Sequence, residues 1–223
     1  MGIELAGIRK SYGKKSVLEN ISLKAGKGSC VGILGGNGCG KSTLLSILAG
    51  VRRADGGSFL YQGKDLLKDG SLRERAVGYV PQSDALVEEL TAWDNLRLWY
   101  DSAALKNELN GGVLELLGVS DFLKLPVRKM SGGMKKRLSI ACAVTARPAV
   151  LLLDEPSAAL DLACKERIYE YFGRYKDEGG ILLMTTHDMQ DMELCTKCCL
   201  LKEGVLQPYE YDGDIHRLAR CLL

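Results

Sequence analysis

Two hydrophobic periods alternate along this chain. Short, continuous apolar runs are separated by longer stretches in which apolar residues recur every three or four positions. "SCVGIL" (Ser29 to Leu34), "AVLLLDE" (Ala149 to Glu155) and "GILLMTT" (Gly180 to Thr186) are of the first kind. Runs without polar alternation predict strands buried on both faces, as in a parallel sheet covered by helices. "STLLSILAG" (Ser42 to Gly50) and "CKERIYEYFGRYKDEGG" (Cys164 to Gly180) are of the second kind and predict helices, with Gly50 as the stop of the first. "CCLLKEGVLQPYEY" predicts a hairpin turning at Glu203-Gly204. The first thirty residues and "GGSFLYQGKDL" carry β-rich patterning suited to an antiparallel subdomain. From about Leu86 to Arg147 the pattern is mostly helical, and "YDGDIHRLARCLL" reads as a short closing helix.

Composition narrows this picture without redirecting it. Hydrophobic residues make up 46% and charged ones 26% of 223 residues, which suits one α/β unit with a sizeable core. Thirty basic against 28 acidic residues leave a formal charge of +2, so no bulk field points to nucleic acid or a membrane surface. The run Lys135, Lys136, Arg137 reads as a solvated helix face. No apolar run approaches the ~18 residues that span a bilayer. The N-terminus lacks the apolar stretch of a secretion signal, and Ala6 stands where a myristoylation motif wants Ser or Thr. The expected location is therefore cytoplasmic. The eight cysteines then read as reduced thiols. "CTKCC" (Cys195, Cys198, Cys199) has no second matching pair, which favours buried small hydrophobes over metal or redox chemistry.

Chemistry concentrates at the ends of the buried runs. "GGNGCGKS" fits G-x-x-x-x-G-K-[ST] from Gly35 to Ser42, with a strand before it and a helix after. Its glycines let the N–H groups of Gly38, Cys39, Gly40 and Lys41 turn toward phosphates, and Lys41 adds a point charge. Ser42 offers a hydroxyl to Mg²⁺, and the helix start adds its partial positive charge. "VLLLDEP" ends in Asp154, placed to hold Mg²⁺, and Glu155, placed to orient and deprotonate a water. His187 and Gln82 are each ambiguous alone. "KMSGGMKKRLSIACAV" (Lys129 to Val144) looks like a second anion-friendly helix start.

Taken in order, Tyr12, the loop at Gly35 to Ser42, Gln82, "MSGGM", "VLLLDEP", "SAALD" and His187 resemble the ATP-binding cassette (ABC) ATPases over nearly the whole chain. The resemblance implies a P-loop NTPase α/β fold: a mostly parallel core sheet, an N-terminal antiparallel β subdomain and a helical subdomain near 86–147, all within one nucleotide-binding domain, 1–223. It implies that Tyr12 stacks on adenine and that Gly35, Gly36, Asn37, Gly38, Cys39, Gly40, Lys41, Ser42 and Thr43 bind ATP. Mg²⁺ would be held by Ser42, Gln82 and Asp154. Glu155 matches the catalytic base, His187 the switch residue, Gln82 the loop residue near the attacking water, and Asp161 a residue coupling two sites. Ser131, Gly132 and Gly133 would contact ATP held by a partner subunit, in a homodimer or heterodimer of cassettes.

Met134 departs from the family's usual glutamine, which puts that side chain's contribution in doubt, and Cys39 places a thiol inside the phosphate loop. "GYVPQSDALVEELTAWDNL", through Leu90, Thr91, Asn95 and Leu96, is similar to the cassettes of bacterial exporters. That implies an ATPase peripheral on the inner membrane face, working with a separate membrane permease and no nucleic acid. The short tail after His187 argues against a large C-terminal regulatory domain. The alternative is a soluble single-cassette ATPase of the iron–sulfur assembly type.

Overall fold

A computed structural model describes residues 2–83, 85–158 and 160–222. The chain begins with β1 (Ile3–Tyr12) and β2 (Lys15–Ala25), then β3 (Cys30–Leu34) and helix α1 (Lys41–Leu48). β4 (Gly56–Tyr61) and β5 (Lys64–Asp65) follow, then α2 (Gly70–Ala76) and β6 (Val77–Val80). The helical stretch holds α3 (Ala92–Arg97), α4 (Ser102–Leu109), α5 (Val113–Leu116), two single-turn 3₁₀ segments and α6 (Gly132–Ala143). β7 (Val150–Asp154), α7 (Leu162–Asp177), β8 (Ile181–Thr185) and α8 (Met189–Leu194) lead to the hairpin β9 (Lys197–Lys202) and β10 (Val205–Tyr209) and to α9 (Ile215–Leu222).

Two sheets form. One is antiparallel with order β2-β1-β4-β5; the other has order β10-β9-β3-β8-β7-β6. In the second, β9, β3, β8, β7 and β6 run parallel, and β10 closes the edge antiparallel to β9. Each of β3, β7 and β8 is buried along its whole length. Their residues divide by parity, as a pleat requires. Cys30, Leu151, Leu153, Leu182 and Met184 face a core shared with α6 and α7. Val31, Ile33, Val150, Leu152, Ile181 and Leu183 face a core shared with α1 and the antiparallel sheet. The absence of polar alternation in these runs has this cause.

The hairpin turns where expected, with Glu203 and Gly204 at φ 51° and 76°. Gly50 ends α1 at φ 82°. The solvated face expected of Lys135 to Arg137 is corrected at two positions. Lys136 is 5% exposed, and Arg137 donates from Nη1 to the Leu117 carbonyl at 2.8 Å. The side of α6 carrying them packs inward, against the helical segment and the loop after β6.

Candidate functional site

The parallel strands all end on one edge, and each hands its next residues to a loop there. β3 gives the glycine loop, β6 gives Gln82, β7 gives Asp154 and Glu155, and β8 gives Thr186 and His187. Sequence neighbours are not spatial neighbours in this order. The sheet sets β3 beside β8, β8 beside β7 and β7 beside β6, so residues over a hundred positions apart share one crevice.

In the glycine loop, Gly40 stands at φ 114° as the N-cap of α1, a conformation that L side chains rarely adopt. A Cβ on Gly35 would meet Cys39 Sγ at 2.6 Å and the Leu201 carbonyl at 2.7 Å. The loop therefore turns tightly, with backbone against backbone. No side chain caps α1, so its first-turn N–H groups are left for an anion. Lys41 is buried, and its Nζ donates to the carbonyls of Gly35 (2.7 Å) and Gly36 (3.3 Å). The same Nζ lies 3.1 Å from His187 Nε2. An ammonium has only donors, so Nε2 accepts and the imidazole is neutral. Burial and, next, the Lys41 charge hold the His187 pKa below its ordinary 6.5, against a smaller opposite pull from Glu155.

Asp154 is buried, and its Oδ1 accepts from Thr185 Oγ1 at 2.6 Å. Glu155 sits at φ 50°, a strained position for a non-glycine residue, held by its N–H donating to both the carbonyl and the hydroxyl of Thr185 at 3.1 Å. That turn aims the carboxylate back over the edge. Gln82 Nε2 donates to Glu155 Oε2 at 3.0 Å, and Glu155 Oε1 lies 3.9 Å from His187 Nε2. A carboxylate held between an amide donor and a neutral imidazole is placed to take a proton from a water.

A groove of about 950 Å³ opens beside these groups, its lining including polar Ser42, Thr43, Gln82 and Asp154 and apolar Val51, Leu86 and Trp99. Tyr12 is exposed at the end of β1. Arg52 donates to its hydroxyl at 3.0 Å, and the Lys10 ammonium lies 5.4 Å from the ring centroid.

A family profile described as "ABC transporter" matches residues 18–158. The chain belongs to the ABC transporter family. It is 36% identical over 212 residues to the Nod factor export ATP-binding protein I of Sinorhizobium fredii, covering 92% of this chain and 61% of that protein. The linearmycin resistance ATP-binding protein LnrL of Bacillus subtilis is 32% identical over 207 residues, covering 91% of this chain and 67% of that one. The chain thus spans about three fifths to two thirds of the length of these relatives. Among solved structures, a dimeric, post-hydrolysis ATP-binding cassette bound to ADP and phosphate superposes with a TM-score of 0.82 at 25% identity, covering 95% of this chain and all of that one. The α/β fold with mixed sheet, antiparallel N-terminal sheet and helices is that of ABC cassettes.

Within this ABC-family chain, the phosphate loop, Gln82, Asp154, Glu155 and His187 come together, whereas the second helix start stands apart. Ser131 and Gly132 are exposed at the start of α6, and among the described residues no hydrogen bond joins them to the phosphate loop. Ser131 caps α6, its Oγ accepting from Met134 N at 3.3 Å. That leaves its O–H donor for a ligand. Asp161, the last residue of "SAALD", caps α7 by accepting from Cys164 N at 2.8 Å; Ala159 of that motif lies outside the described residues.

Sequence reasoning missed three groups. Thr185 is the hydrogen-bond hub of the Asp154–Glu155 turn. Asp191 is 0% exposed and accepts from Ser157 Oγ (2.7 Å), Thr186 Oγ1 (2.6 Å) and Tyr169 OH (2.8 Å). Burial holds its carboxyl pKa above the ordinary value, against smaller downward pulls from these hydroxyls. Cys30 joins the cysteine cluster, its Sγ 3.6 Å from that of Cys195. The hydrogen bond to Cys195 and then burial push the Cys198 thiol well above its ordinary range; the Cys195 thiol is pulled down by Cys198, but Cys30 and burial outweigh that pull and leave it raised. No group of three His, Cys, Asp or Glu among the described residues can hold a metal ion. Nothing local in the sequence marks such contacts, because Asp191 stands among other polar residues in "HDMQDME" and only the packing buries it.

Proposed function

We propose that this chain binds and hydrolyses ATP with Mg²⁺ as the nucleotide-binding subunit of an ABC exporter. The observation that carries the proposal is the chain of contacts beside the Ser42–Asp154 groove: Lys41 to His187 at 3.1 Å, His187 to Glu155 at 3.9 Å and Glu155 to Gln82 at 3.0 Å. The uncapped α1 start and Lys41 suit a triphosphate, and Tyr12 offers a ring face to adenine. In this reading Lys41 exchanges its bonds to Gly35 and Gly36 for phosphate oxygens. Ser42, Gln82 and Asp154 offer hard oxygen donors, few in number and in the lining of one groove, which fits Mg²⁺ shared with phosphate better than a cage of protein ligands alone. Bound there, the ion would offset charge on the phosphates. Glu155 takes the proton of the attacking water, Gln82 holds that carboxylate in place, and His187 donates or accepts beside Lys41.

Ser131, Gly132 and Gly133 would complete the site of a second cassette. Ser131 and Gly132 are exposed and, among the described residues, make no hydrogen bond to the chain's own phosphate loop, which supports this, as does the dimeric state of a similar cassette; Gly133 is buried behind them. A membrane permease as partner is supported by exposed apolar residues in the groove lining, Trp99 at 62% and Val51 at 69% exposure. No described helix is long and apolar enough to cross a membrane, so the transport path would belong to that partner. We read 1–223 as one nucleotide-binding domain whose helical subdomain covers about 86–147. The direction we propose, export, follows the Nod factor export relative, and the exposed apolar residues of the groove disfavour a purely soluble assembly factor.

The test uses purified wild type and Glu155→Gln. Wild type should turn over ATP, and the variant should lose about 10²-fold or more of that rate. With MgATP, the variant should double its mass in light scattering. ATP binding without turnover in wild type refutes the enzyme reading; turnover with a single mass at every ATP concentration refutes self-pairing.

A further inference from the structure

We infer that Lys136 couples the loop carrying Gln82 to the helix that begins at Ser131, positioning Gln82 on Glu155. This role rests on the reading of Gln82 and Glu155 above. The chain leaves the sheet at Val80 and crosses to the helical region through Pro81 and Gln82. At that crossing Lys136 Nζ donates to the Pro81 carbonyl at 3.1 Å and the Gln82 carbonyl at 3.3 Å. A buried ammonium is costly unless its N–H groups meet acceptors, and two successive loop carbonyls supply them here. The loop gains in turn a charged anchor at the residue whose side chain reaches Glu155.

The other limb of the loop is fastened to the same side. Arg128 N donates to the Glu88 carbonyl at 3.1 Å and Val127 N to the Leu90 carbonyl at 2.9 Å. Lys135 Nζ pairs with Glu88 Oε1 at 3.3 Å, but that pair is solvent-exposed and contributes little. Lys136 is the buried link, and it lies five residues after Ser131 on one rigid helix, about 7 Å along the axis. A shift of α6 as Ser131 meets a partner's phosphate therefore moves the Gln82 backbone and with it the amide on Glu155. The run read from sequence as a solvated charged face contains the connection between the two anion sites.

The experiment measures steady-state ATP turnover, ATP binding and thermal melting for wild type, Lys136→Met, Lys136→Arg, Gln82→Ala and the double variant Lys136→Met with Gln82→Ala. Lys136→Met should lower kcat about ten- to a hundredfold with the affinity for ATP measured without Mg²⁺ within about twofold, because it misplaces Gln82 without touching the phosphate loop. Lys136→Arg, which keeps the charge and donors, should recover most of that loss. The double variant should turn over no more slowly than Gln82→Ala alone, the mark of one shared path. Should Lys136→Met not fold, Lys136→Gln replaces it under the same criteria. Unchanged kcat in the Lys136 variants, or losses that multiply with those of Gln82→Ala, overturn the role of Lys136. Turnover that survives Gln82→Ala unchanged, or no turnover in wild type, overturns the reading of the site and the coupling with it.

Discussion

Replacing Thr185 by valine removes one hydroxyl from the centre of the site and nearly nothing else. Thr185 is fully buried on β8, where valine fits the strand and the volume. The hydroxyl donates to Asp154 Oδ1 at 2.6 Å and accepts from Glu155 N at 3.1 Å. The second bond has a substitute, since Glu155 N also donates to the Thr185 carbonyl. The first has none in the same geometry. A hydrogen bond to a buried carboxylate contributes about 1.5–3 kcal/mol, and its loss leaves the Asp154 oxygen less solvated than in the unfolded chain. For a domain of this length, melting shifts by about 2–4 °C per kcal/mol, so Thr185→Val should melt roughly 3–12 °C lower. Thr185→Ser, which keeps the hydroxyl and loses a methyl, should cost only about 1 kcal/mol. Calorimetry without nucleotide reads both. A valine variant within about 1 °C of wild type, or a serine variant that falls further than valine, refutes the assignment of Thr185 as the hub of this turn.

Two further outcomes follow from the same geometry. In an NMR titration, His187 should ionise below 6.5, move up toward it in Lys41→Ala and move further down in Glu155→Gln, because the ammonium lowers and the carboxylate raises its pKa. The neutral imidazole's contribution to stability is then present above 6.5 and is lost as pH falls through the lowered value; ionisation at or above 6.5 in wild type contradicts the Lys41 contact. Cys39, half-buried in the phosphate loop, should be alkylated about tenfold more slowly at MgATP ten times above its Kd, and equal labelling rates by peptide mass analysis count against nucleotide contact at that loop.

Local rules carried much of this protein. Unbroken apolar runs marked β3, β7 and β8, because a strand covered on both faces has no position for a polar residue. Glycines at 35, 38 and 40 before Lys41 marked the phosphate loop, because only that residue tolerates its turns and close approaches. Ser131 before a helix pattern marked a cap, and the hairpin at Glu203-Gly204 followed from its turn residues. These signals depend on neighbours within a few positions, which a single sequence displays.

Tertiary structure decided which of these local pieces meet. The order β3-β8-β7-β6 brings Lys41 to His187 and Gln82 to Glu155, pairings 146 and 73 residues apart that no spacing encodes. It also decided which charges are solvated. Lys135, Lys136 and Arg137 are adjacent and chemically alike, yet only the packing of α6 against the loop after β6 sends Lys136 inward to two carbonyls. Cys30 and Cys195 meet for the same reason, because β3 lies beside β9. A sequence fixes each residue's intrinsic conformational preferences; burial and hydrogen-bond partners depend on the position of every other element.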